Sequence, residues 1–361
     1  MIIGLDVQSA TGQATGIGHY ARELSNSLSG VLPEHQLRLI HQDTDDSWGL
    51  KERMIWEQYR LPLLAKKAGI DILHVPGFAC PLTRSCKCVL TLHDVIGVEQ
   101  PLQIPSRGSR WYWSKWVPFA ARRADRIITD SMYSKQKIVE LCRIDSERID
   151  VIPLAVSSKL MQCHPDAGKV HSVLNKFNIS KDYILSVCTL EKRKNHSLIL
   201  RAYHRLPSSI RERYQLVFAG KRISNFTDID DTINELGLHK DVTITGYTST
   251  EELAALYTGA SLLVFASFHE GFGLPPLEGM AFGLPVVCFR STSIPEVVGD
   301  AAILIEPESG ESGLYEAMNK LLSDAHLRKE FSGRGIARAS QFSWENTTAL
   351  TLESYKKLMG E

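Results

Sequence analysis

The sequence predicts an α/β protein made of two doubly wound parallel sheets, and three observations support this. Short apolar runs of strand length alternate with longer helical patterns along almost the whole chain, which is typical of parallel α/β construction. The chain has 361 residues, enough for two domains, and its 43% hydrophobic and 23% charged residues are ordinary for a globular protein. A stretch with few apolar residues, 157–170, separates two sets of predicted strands.

The first set of strands precedes Pro153. The predicted strands cover residues 2–7, 37–41, 71–75, 88–92, 126–129 and 149–152. They are rich in Ile, Leu and Val, as expected for strands covered by helices on both faces. The first of them leads through a glycine-containing loop into a helix with apolar positions at Tyr20, Leu24 and Leu28.

The second set of strands alternates with five helical patterns. The predicted strands cover residues 183–187, 215–219, 242–245, 261–265, 285–289 and 301–305. The predicted helices cover residues 197–205, 228–236, 250–257, 275–282 and 314–322. Doubly wound sheets bind ligands beyond the carboxyl ends of their strands. We therefore expect a ligand in a cleft between the two halves, framed by the loops that follow strands.

Charge and hydropathy exclude several classes of function. Lys and Arg together number 41, as do Asp and Glu, so the chain lacks the basic excess with which proteins grip nucleic acid. No apolar run approaches the roughly 18–20 residues that span a bilayer, and the N-terminus lacks a signal-peptide pattern. We therefore expect a cytoplasmic protein that binds no nucleic acid.

The cysteines do not indicate a metal site. There are seven, scattered over the whole length. Cys80, Cys86 and Cys88 lie close together, but no second pair of ligands completes a zinc set. The sequence therefore predicts reduced thiols and no bound metal.

The most informative segment is EGFGLPPLE, which begins at Glu270, follows a predicted strand and opens a helix. Its glycines let the backbone pass close to a ligand. The N–H groups around Phe272, Gly273 and Leu274 face outward at the helix start, where a phosphate is favoured. Glu278, placed in the first helical turn, and Glu270 can both accept hydrogen bonds from vicinal sugar hydroxyls. Alternatively, Glu278 only complements the helix N-terminus and Glu270 is an ordinary loop carboxylate.

A basic loop follows the strand predicted at 183–187. It contains Lys192, Arg193 and Lys194, and Asn195 can cap the helix that comes next. Cations at the carboxyl end of a strand would neutralise the diphosphate of a ligand bound there. The alternative is a solvated basic loop without a ligand.

Two further features lie in the first half of the chain. Gly16 and Gly18 stand between the first strand and its helix, where glycines permit close approach of a phosphate or sugar; a plain turn is equally compatible. His93 and Asp94 end another predicted strand. A histidine there can orient or polarise a substrate hydroxyl, or can simply cap a turn.

Together these motifs resemble those of retaining glycosyltransferases of family 4, nearly end to end. The Glu270-x7-Glu278 pair in EGFGLPPLEGMAFGLPVV is the most diagnostic, and SIPEVVGDAA, TLEKRKN, GIGHY, ADRIITDS, the His-Asp pair and the FSWE ending also fit. The resemblance implies a GT-B fold, in which two Rossmann-like domains face a central cleft. It implies an acceptor-side domain over 1–165, a nucleotide-sugar domain over 166–340, and a C-terminal helix over 341–361 that crosses back onto the N-terminal domain.

The resemblance also implies roles for single residues. Glu278 would hold the ribose hydroxyls of the nucleotide, and Glu270 the hydroxyls of the donor sugar. Lys194, helped by Arg193, would stabilise the charge of the leaving diphosphate, and His93 would sit beside the reacting sugar. The donor would also contact the backbone at Phe272, Gly273, Leu274, Gly16 and Gly18.

One departure bears on the chemistry. Many relatives carry an arginine six residues before the lysine, where this chain has Cys188. Charge stabilisation would then rest on Lys194 and Arg193, or on a basic residue elsewhere in the chain. The Thr-Leu-Glu variant with a basic pair resembles bacterial transferases of O-antigen-like polysaccharides, many of which use GDP-mannose. We therefore expect a mannosyltransferase; a dTDP-rhamnose or UDP-sugar donor, a sugar-nucleotide epimerase and a sugar-binding module are the alternatives.

The resemblance implies front-face attack with retention of configuration, and no metal cofactor. The acceptor would be a hydroxyl of a glycan or of a polyprenyl-diphosphate-linked saccharide. Residues 107–123 interleave basic side chains with three tryptophans, which suits contact with anionic lipid at the cytoplasmic face of the inner membrane. A core helix with buried aromatics is the alternative, and Pro118 argues against one long uninterrupted helix.

Overall fold

The computed structural model describes residues 1–11, 16–42, 49–100, 106–223 and 226–360. The chain forms two compact units, Met1–Leu154 with Ser343–Glu361, and Ala155–Phe342. The domain boundary predicted after residue 165 therefore falls inside the second unit. No helix in the described ranges is long and apolar enough to cross a membrane.

The first unit contains a six-stranded parallel sheet in the order β2-β1-β3-β4-β5-β6. Its strands are β1 (Ile3–Asp6), β2 (Leu37–Ile40), β3 (Ile72–Pro76), β4 (Lys87–Thr91), β5 (Arg126–Thr129) and β6 (Ile149–Val151). Its first seven helices are α1 (Gly16–Val31), α2 (Leu50–Ile55), α3 (Leu61–Lys67), α4 (Ile96–Glu99), α5 (Arg107–Trp111), α6 (Val117–Ala121) and α7 (Met132–Cys142). All six predicted strands are confirmed, since their apolar runs fill the layer between helices.

Two helical segments of this unit contain a wide turn just before a proline. Trp56–Arg60 forms a π-helical turn between α2 and α3, and Tyr112–Trp116 forms one between α5 and α6. Pro62 and Pro118 follow these turns. A proline clashes with the carbonyl four residues back in an α-helix, and a wider turn relieves that clash. The interruption expected at Pro118 is therefore a π turn within a backbone that stays helical over 107–121.

The core of the first unit also encloses two carboxyl groups. The indole of Trp56 donates to Asp6 Oδ2 at 3.1 Å, and the hydroxyl of Tyr112 donates to Glu57 at 3.4 Å. Burial raises the pKa of Asp6 to about 6 and that of Glu57 to about 8, despite these hydrogen bonds and the nearby Arg53.

The second unit contains a six-stranded parallel sheet in the order β12-β11-β10-β7-β8-β9. Its strands are β7 (Asp182–Val187), β8 (Tyr214–Ala219), β9 (Val242–Gly246), β10 (Leu262–Phe265), β11 (Val286–Phe289) and β12 (Ile303–Ile305). Its helices are α8 (Ser158–Met161), α9 (Ala167–Lys176), α10 (His196–His204), α11 (Ser208–Arg213), α12 (Asp228–Leu236), α13 (Thr250–Gly259), α14 (Leu274–Ala281), α15 (Ile294–Val298), α16 (Gly310–Ser323) and α17 (Ala325–Ala339). The strands and helices predicted for this half are confirmed.

The strand order of the second sheet indicates where a ligand crevice is expected. The chain winds outward from β7 through β8 to β9, then returns to β10 on the other side of β7. In such sheets the ligand binds where the order reverses, between the loops that follow the two neighbouring strands. Those loops are the basic loop after β7 and the glycine segment after β10.

The last helix, α18 (Trp344–Met359), belongs to the first unit, which confirms the crossing helix that the family resemblance implies. The hydroxyl of Thr348 lies 2.7 Å from Ser27 Oγ on α1. The buried hydroxyl of Tyr355 lies 2.6 Å from Nδ1 of His74 on β3. These contacts fix the helix to both a helix and the sheet of the first unit.

Candidate active site

The basic loop after β7 buries one of its three cations. Lys192–Lys194 form a 3-10 turn in which Lys192 is exposed, whereas Lys194 is 8% exposed. Asn195 occupies the N-cap position of α10 in a left-handed conformation, with φ of 57°, and its side chain makes no capping hydrogen bond. The expectation that this side chain caps the helix is therefore wrong.

Lys194, Arg193 and Glu270 come together in the crevice. Nζ of Lys194 lies 2.5 Å from Oε1 of Glu270, and Nη1 of Arg193 lies 3.4 Å from the same oxygen. Burial raises the pKa of Glu270, but the two cations outweigh it and hold the pKa below its usual value. Glu270 is therefore ionised and held between two positive charges.

Backbone contacts join the two loops. The N–H of Phe268 donates to the carbonyl of Arg193 at 3.2 Å, and the guanidinium of Arg193 donates to the carbonyl of His269. The charged cluster is thus a built contact between neighbouring loops, which disfavours the alternative of a solvated basic loop.

The glycine segment turns sharply into α14. Gly273 has φ of 116°, and a Cβ there would lie 2.6 Å from Cδ1 of Ile294. Leu274 is the first helical residue, so Pro275 takes the second position and not the expected first. Phe272 is buried with its ring 5.9 Å from that of Phe342, edge to face. Phe272 therefore offers a ligand its backbone and not its ring.

Glu278 lies deeper in α14 than expected. It is the fifth residue of the helix, so its predicted place in the first turn is wrong, and it does not complement the helix N-terminus. Its Oε2 accepts a 2.6 Å hydrogen bond from the hydroxyl of Tyr257, whose ring stacks on Phe282. Burial raises the pKa of Glu278, although the Tyr257 hydrogen bond opposes the change.

Cys188 contributes no positive charge at the position where relatives carry arginine. Its Sγ lies 3.2 Å from Nε2 of His196, and burial raises its pKa to about 12, against the effect of Lys194. The thiol is therefore neutral. A Cβ on Gly220 would lie 1.9 Å from the carbonyl oxygen of Cys188, so only glycine fits at this position, directly after β8.

In the first unit, His93 is held by a partner that the sequence did not suggest. Nδ1 of His93 lies 2.8 Å from Oδ2 of Asp130, and the ring of Tyr20 meets the imidazole edge to face at 4.7 Å. Nε2 is buried and has no hydrogen-bond partner within the described ranges. Burial lowers the pKa of His93, but Asp130 outweighs it and the net pKa is raised. The Asp130 contact engages Nδ1 and fixes the orientation of the imidazole ring.

A buried chain of polar groups continues behind His93. The hydroxyl of Tyr20 lies 3.1 Å from Oγ1 of Thr91, and that oxygen lies 2.6 Å from Nε2 of His74. His74 in turn contacts Tyr355 on α18. Because burial lowers the pKa of His74 to about 3, its imidazole is neutral. The returning helix thus supports the residue that packs on His93.

Gly16 and Gly18 lie in the first turn of α1 and not in a loop before it. The helix begins at Gly16, which is exposed, whereas Gly18 is buried. A Cβ on Gly16 would meet nothing within 4 Å. The preceding residues, 12–15, lie outside the described ranges. No group of three His, Cys, Asp or Glu side chains suited to a metal occurs in the described part of the chain.

Comparison with known proteins agrees with this architecture. The family model described as Glycosyltransferase Family 4 matches residues 15–159, and that described as Glycosyl transferases group 1 matches residues 173–338. The chain is 33% identical over 373 residues to O-antigen chain mannosyltransferase B of Escherichia coli, covering 95% of this chain and 96% of that protein.

Two more similarities extend the comparison. An MMP α-(1→4)-mannosyltransferase of Mycolicibacterium hassiacum is 29% identical over 305 residues, covering 80% of this chain and 68% of that protein. The solved structure of sucrose-phosphate synthase from Thermosynechococcus elongatus matches with a TM-score of 0.77, covering 100% of this chain and 99% of that one. At 19% identity the latter is a likeness of fold alone.

Proposed function

This chain belongs to glycosyltransferase family 4 and has its GT-B fold, and from that premise we propose that it transfers mannose from GDP-mannose. The acceptor is a hydroxyl of a glycan or lipid-linked saccharide in the synthesis of a bacterial surface polysaccharide. Both relatives described above are named mannosyltransferases, and one of them acts by name on the O-antigen chain. These names support mannose over the rhamnosyl and UDP-sugar alternatives.

The observation that carries the proposal is the cation pair at the crevice of the second sheet. Lys194 and Arg193 meet Glu270 where the order of strands reverses. Transfer from a nucleotide sugar requires a nucleoside diphosphate to leave, and negative charge grows on its β-phosphate as it does. Preorganised cations and backbone N–H donors aimed at that phosphate lower the barrier.

Retention follows from attack on the face that the diphosphate leaves. The bond from the anomeric carbon to the phosphate oxygen breaks with its electron pair going to the phosphate. The acceptor oxygen bonds to the same face, and its proton passes to the departing phosphate. Glu270, ion-paired with two cations, is poorly suited to act as a nucleophile. Its role is to hold the hydroxyls of the donor sugar.

The remaining roles follow the chemistry of each group. Glu278 accepts hydrogen bonds from the ribose diol. The N–H groups of Gly273 and Leu274, at the start of α14, contact the diphosphate. The roles that the family resemblance implies for His93, Gly16 and Gly18 in the first unit stay predictions. No metal ion takes part, so EDTA is expected to leave turnover unchanged.

A donor panel tests the proposal. Binding of GDP, UDP, dTDP, ADP and their sugar conjugates is measured by calorimetry, and the anomeric configuration of the product by NMR. We expect selective binding of GDP and GDP-mannose and an α-linked product from the α-linked donor. Preference for another nucleotide would overturn the GDP-mannose assignment, and an inverted product would overturn retention.

We also propose that the first unit docks on an anionic membrane through its aromatic-basic face, residues 50–67 and 106–123. Tyr112 is buried and Trp113 packs on Phe78 at 4.4 Å, as in the core-helix alternative, but Trp111 is 52% exposed. A groove of about 590 Å³ is lined chiefly by apolar side chains, most of them from residues 50–59, together with Leu82 and Trp116. Residues 106–123 contain five basic and no acidic residues. Cations beside exposed aromatic rings complement anionic headgroups.

Vesicle flotation tests the docking surface. Wild-type protein is expected to float with phosphatidylglycerol-containing vesicles and to stay behind with pure phosphatidylcholine. Trp111→Glu should abolish flotation. Val31→Glu, at a residue 60% exposed on α1, is the matched control and should float as the wild type does. Absence of wild-type binding to either vesicle would overturn membrane docking and leave the transferase assignment intact.

A further inference from the structure

We propose that three consecutive hydroxyl residues, Ser291, Thr292 and Ser293, form a clamp that aims the glycine segment at the donor diphosphate, with Ser293 as its main positioning residue. The inference rests on the proposed function, because it assigns a task within the same crevice. It concerns the stretch between β11 and α15, whose SIPE sequence carries no role in the site described above.

Ser291 and Thr292 fix the start of the glycine segment. The hydroxyl of Ser291 donates to the carbonyl of Ser267 at 2.7 Å. Oγ1 of Thr292 accepts the N–H of Glu270 at 3.0 Å. Thr292 thus holds the backbone N–H of Glu270, while Lys194 and Arg193 hold its carboxylate.

Ser293 fixes the middle of the segment. It is 0% exposed, and its Oγ lies 2.9 Å from the carbonyl oxygens of both Glu270 and Phe272, so its O–H is shared between them. A planar trans peptide points its N–H away from its C=O. The peptide that joins Phe272 to Gly273 therefore turns its N–H away from Ser293. We take this as the direction of the bound diphosphate.

The hydrogen bonds of Ser293 are unusual for a residue at the start of a helix. It is the N-cap residue of α15, where a serine ordinarily accepts a hydrogen bond from its own helix. Here it makes no capping hydrogen bond and reaches instead to a segment more than twenty residues earlier in the chain. The Ser293 hydroxyl therefore binds the glycine segment, and α15 has no side-chain cap from this residue.

Two backbone features indicate that the clamp is under constraint. Thr292 has φ of 47°, a left-handed conformation that is costly for a β-branched residue. Next to the clamp, Ile294 packs so closely on Gly273 that no Cβ fits between them. Such strain persists only where the surroundings impose it, and it is concentrated at functional sites.

The test compares Ser293→Ala with Tyr203→Phe. Tyr203 is also fully buried in the second unit and also donates its hydroxyl to a carbonyl, that of Tyr214 at 2.8 Å. Tyr214 is the first residue of β8, so it lies at the amino ends of the parallel strands, whereas the crevice lies at their carboxyl ends. Both variants lose a buried hydroxyl–carbonyl contact, so equal losses of thermal stability do not distinguish them, whereas ligand affinity does.

Affinity is measured by calorimetry for GDP and GMP, or for the matching pair of whichever nucleotide the wild type binds best. Ser293→Ala should weaken the diphosphate by about tenfold, the cost of a misaimed hydrogen bond to a charged group, and weaken the monophosphate much less. Tyr203→Phe should change neither. Ser293→Thr, which keeps the hydroxyl, should restore most of the diphosphate affinity.

Three outcomes overturn the inference. If Ser293→Ala lowered the affinities for diphosphate and monophosphate equally, Ser293 would have only a general structural role. If it changed neither affinity, Ser293 would have no role in binding. In both cases the proposed function would stand, provided that the wild type binds and transfers from the donor. Failure of the wild type to bind any of the nucleotides would overturn the proposed function, and the clamp with it.

Discussion

The two units share one architecture and differ in the chemistry at the carboxyl edge of their sheets. Each has six parallel strands in doubly wound order. In the second unit that edge carries an ion-paired cluster built on Lys194 and Glu270. In the first, the hydrogen-bonded pair of His93 and Asp130 lies there, and a chain of hydrogen bonds through Thr91 and the neutral His74 lies behind it. The shared fold therefore determines where a site can form, and the loops that follow the strands determine which side chains it contains.

The same contrast recurs within the second unit. Glu270 is held between two cations, and its pKa is lowered. Glu278, eight residues later, accepts a hydrogen bond from the Tyr257 hydroxyl, and burial raises its pKa. Glu270 is therefore suited to hold its two cations in place beside the donor sugar, and Glu278 to accept hydrogen bonds from a diol.

The largest effect is expected from removing charge in the second unit. Lys194→Ala should lower kcat by about 100- to 1,000-fold, because the leaving diphosphate loses its nearest cation. Lys192→Ala, the exposed neighbour in the same loop, should change kcat by less than about threefold, since surface charge is screened. Steady-state kinetics with saturating donor measure both. Equal effects of the two substitutions would show that the cluster acts only as a diffuse basic surface.

A smaller effect is expected at Glu278. Glu278→Gln should raise the donor KM by about 10- to 100-fold with little change in kcat, because the ribose contact is the same in ground and transition states. Tyr257→Phe, which removes only the 2.6 Å hydrogen bond that orients Glu278, should raise KM by about three- to tenfold. A fall in kcat with unchanged KM in either variant would contradict a donor-binding role.

In the first unit the prediction concerns a titration. Asp130→Asn removes the negative charge that raises the pKa of His93, so that pKa should fall, and the pH at which the imidazole becomes protonated should fall with it. NMR of the His93 ring proton against pH measures it. Asp94→Asn is the control with the weaker charge interaction and should give a smaller decrease. An unchanged His93 pKa in Asp130→Asn would show that Asp130 does not raise the pKa of His93.

The smallest effect is on stability. The folded pKa of Glu57, about 8, exceeds the ordinary value of 4.5, so its stabilising contribution is complete below pH 4.5 and is lost as pH rises through 8. Glu57→Gln should therefore flatten the fall in Tm between pH 5 and 8, by roughly a few degrees. The exposed Glu52→Gln should follow the wild type. A slope unchanged by Glu57→Gln would show that this carboxyl does not titrate between pH 5 and 8.

Much of the fold follows from the sequence because the strands are short apolar runs that pack in the cores of the two units. The residues of the charged cluster could be predicted because both loops directly follow strands. Asp130 could not be paired with His93 in the same way, since the pairing depends on β4 and β5 being neighbours in the sheet. Strand order is a tertiary property that one sequence does not display.

Local backbone geometry accounts for the other differences. The sequence placed Gly16 and Gly18 in a loop, but their helix starts at Gly16. It placed Glu278 in the first turn, although α14 begins at Leu274, four residues earlier. Residue propensity alone predicts helix ends poorly, because packing and hydrogen bonds to other segments decide where the first or last turn lies. The roles of Tyr257 and Ser293 could not be predicted either, because both act through contacts with residues distant in the sequence.

A crystal structure with GDP bound would locate the donor diphosphate. We expect the β-phosphate within about 3 Å of Lys194 Nζ and of the Gly273 N–H, with the ribose hydroxyls on Glu278. Such a complex would show that the cations and the backbone N–H donors of the second unit meet at one phosphate. A diphosphate bound elsewhere, with Lys194 still paired to Glu270, would show that the charged cluster is not the donor site.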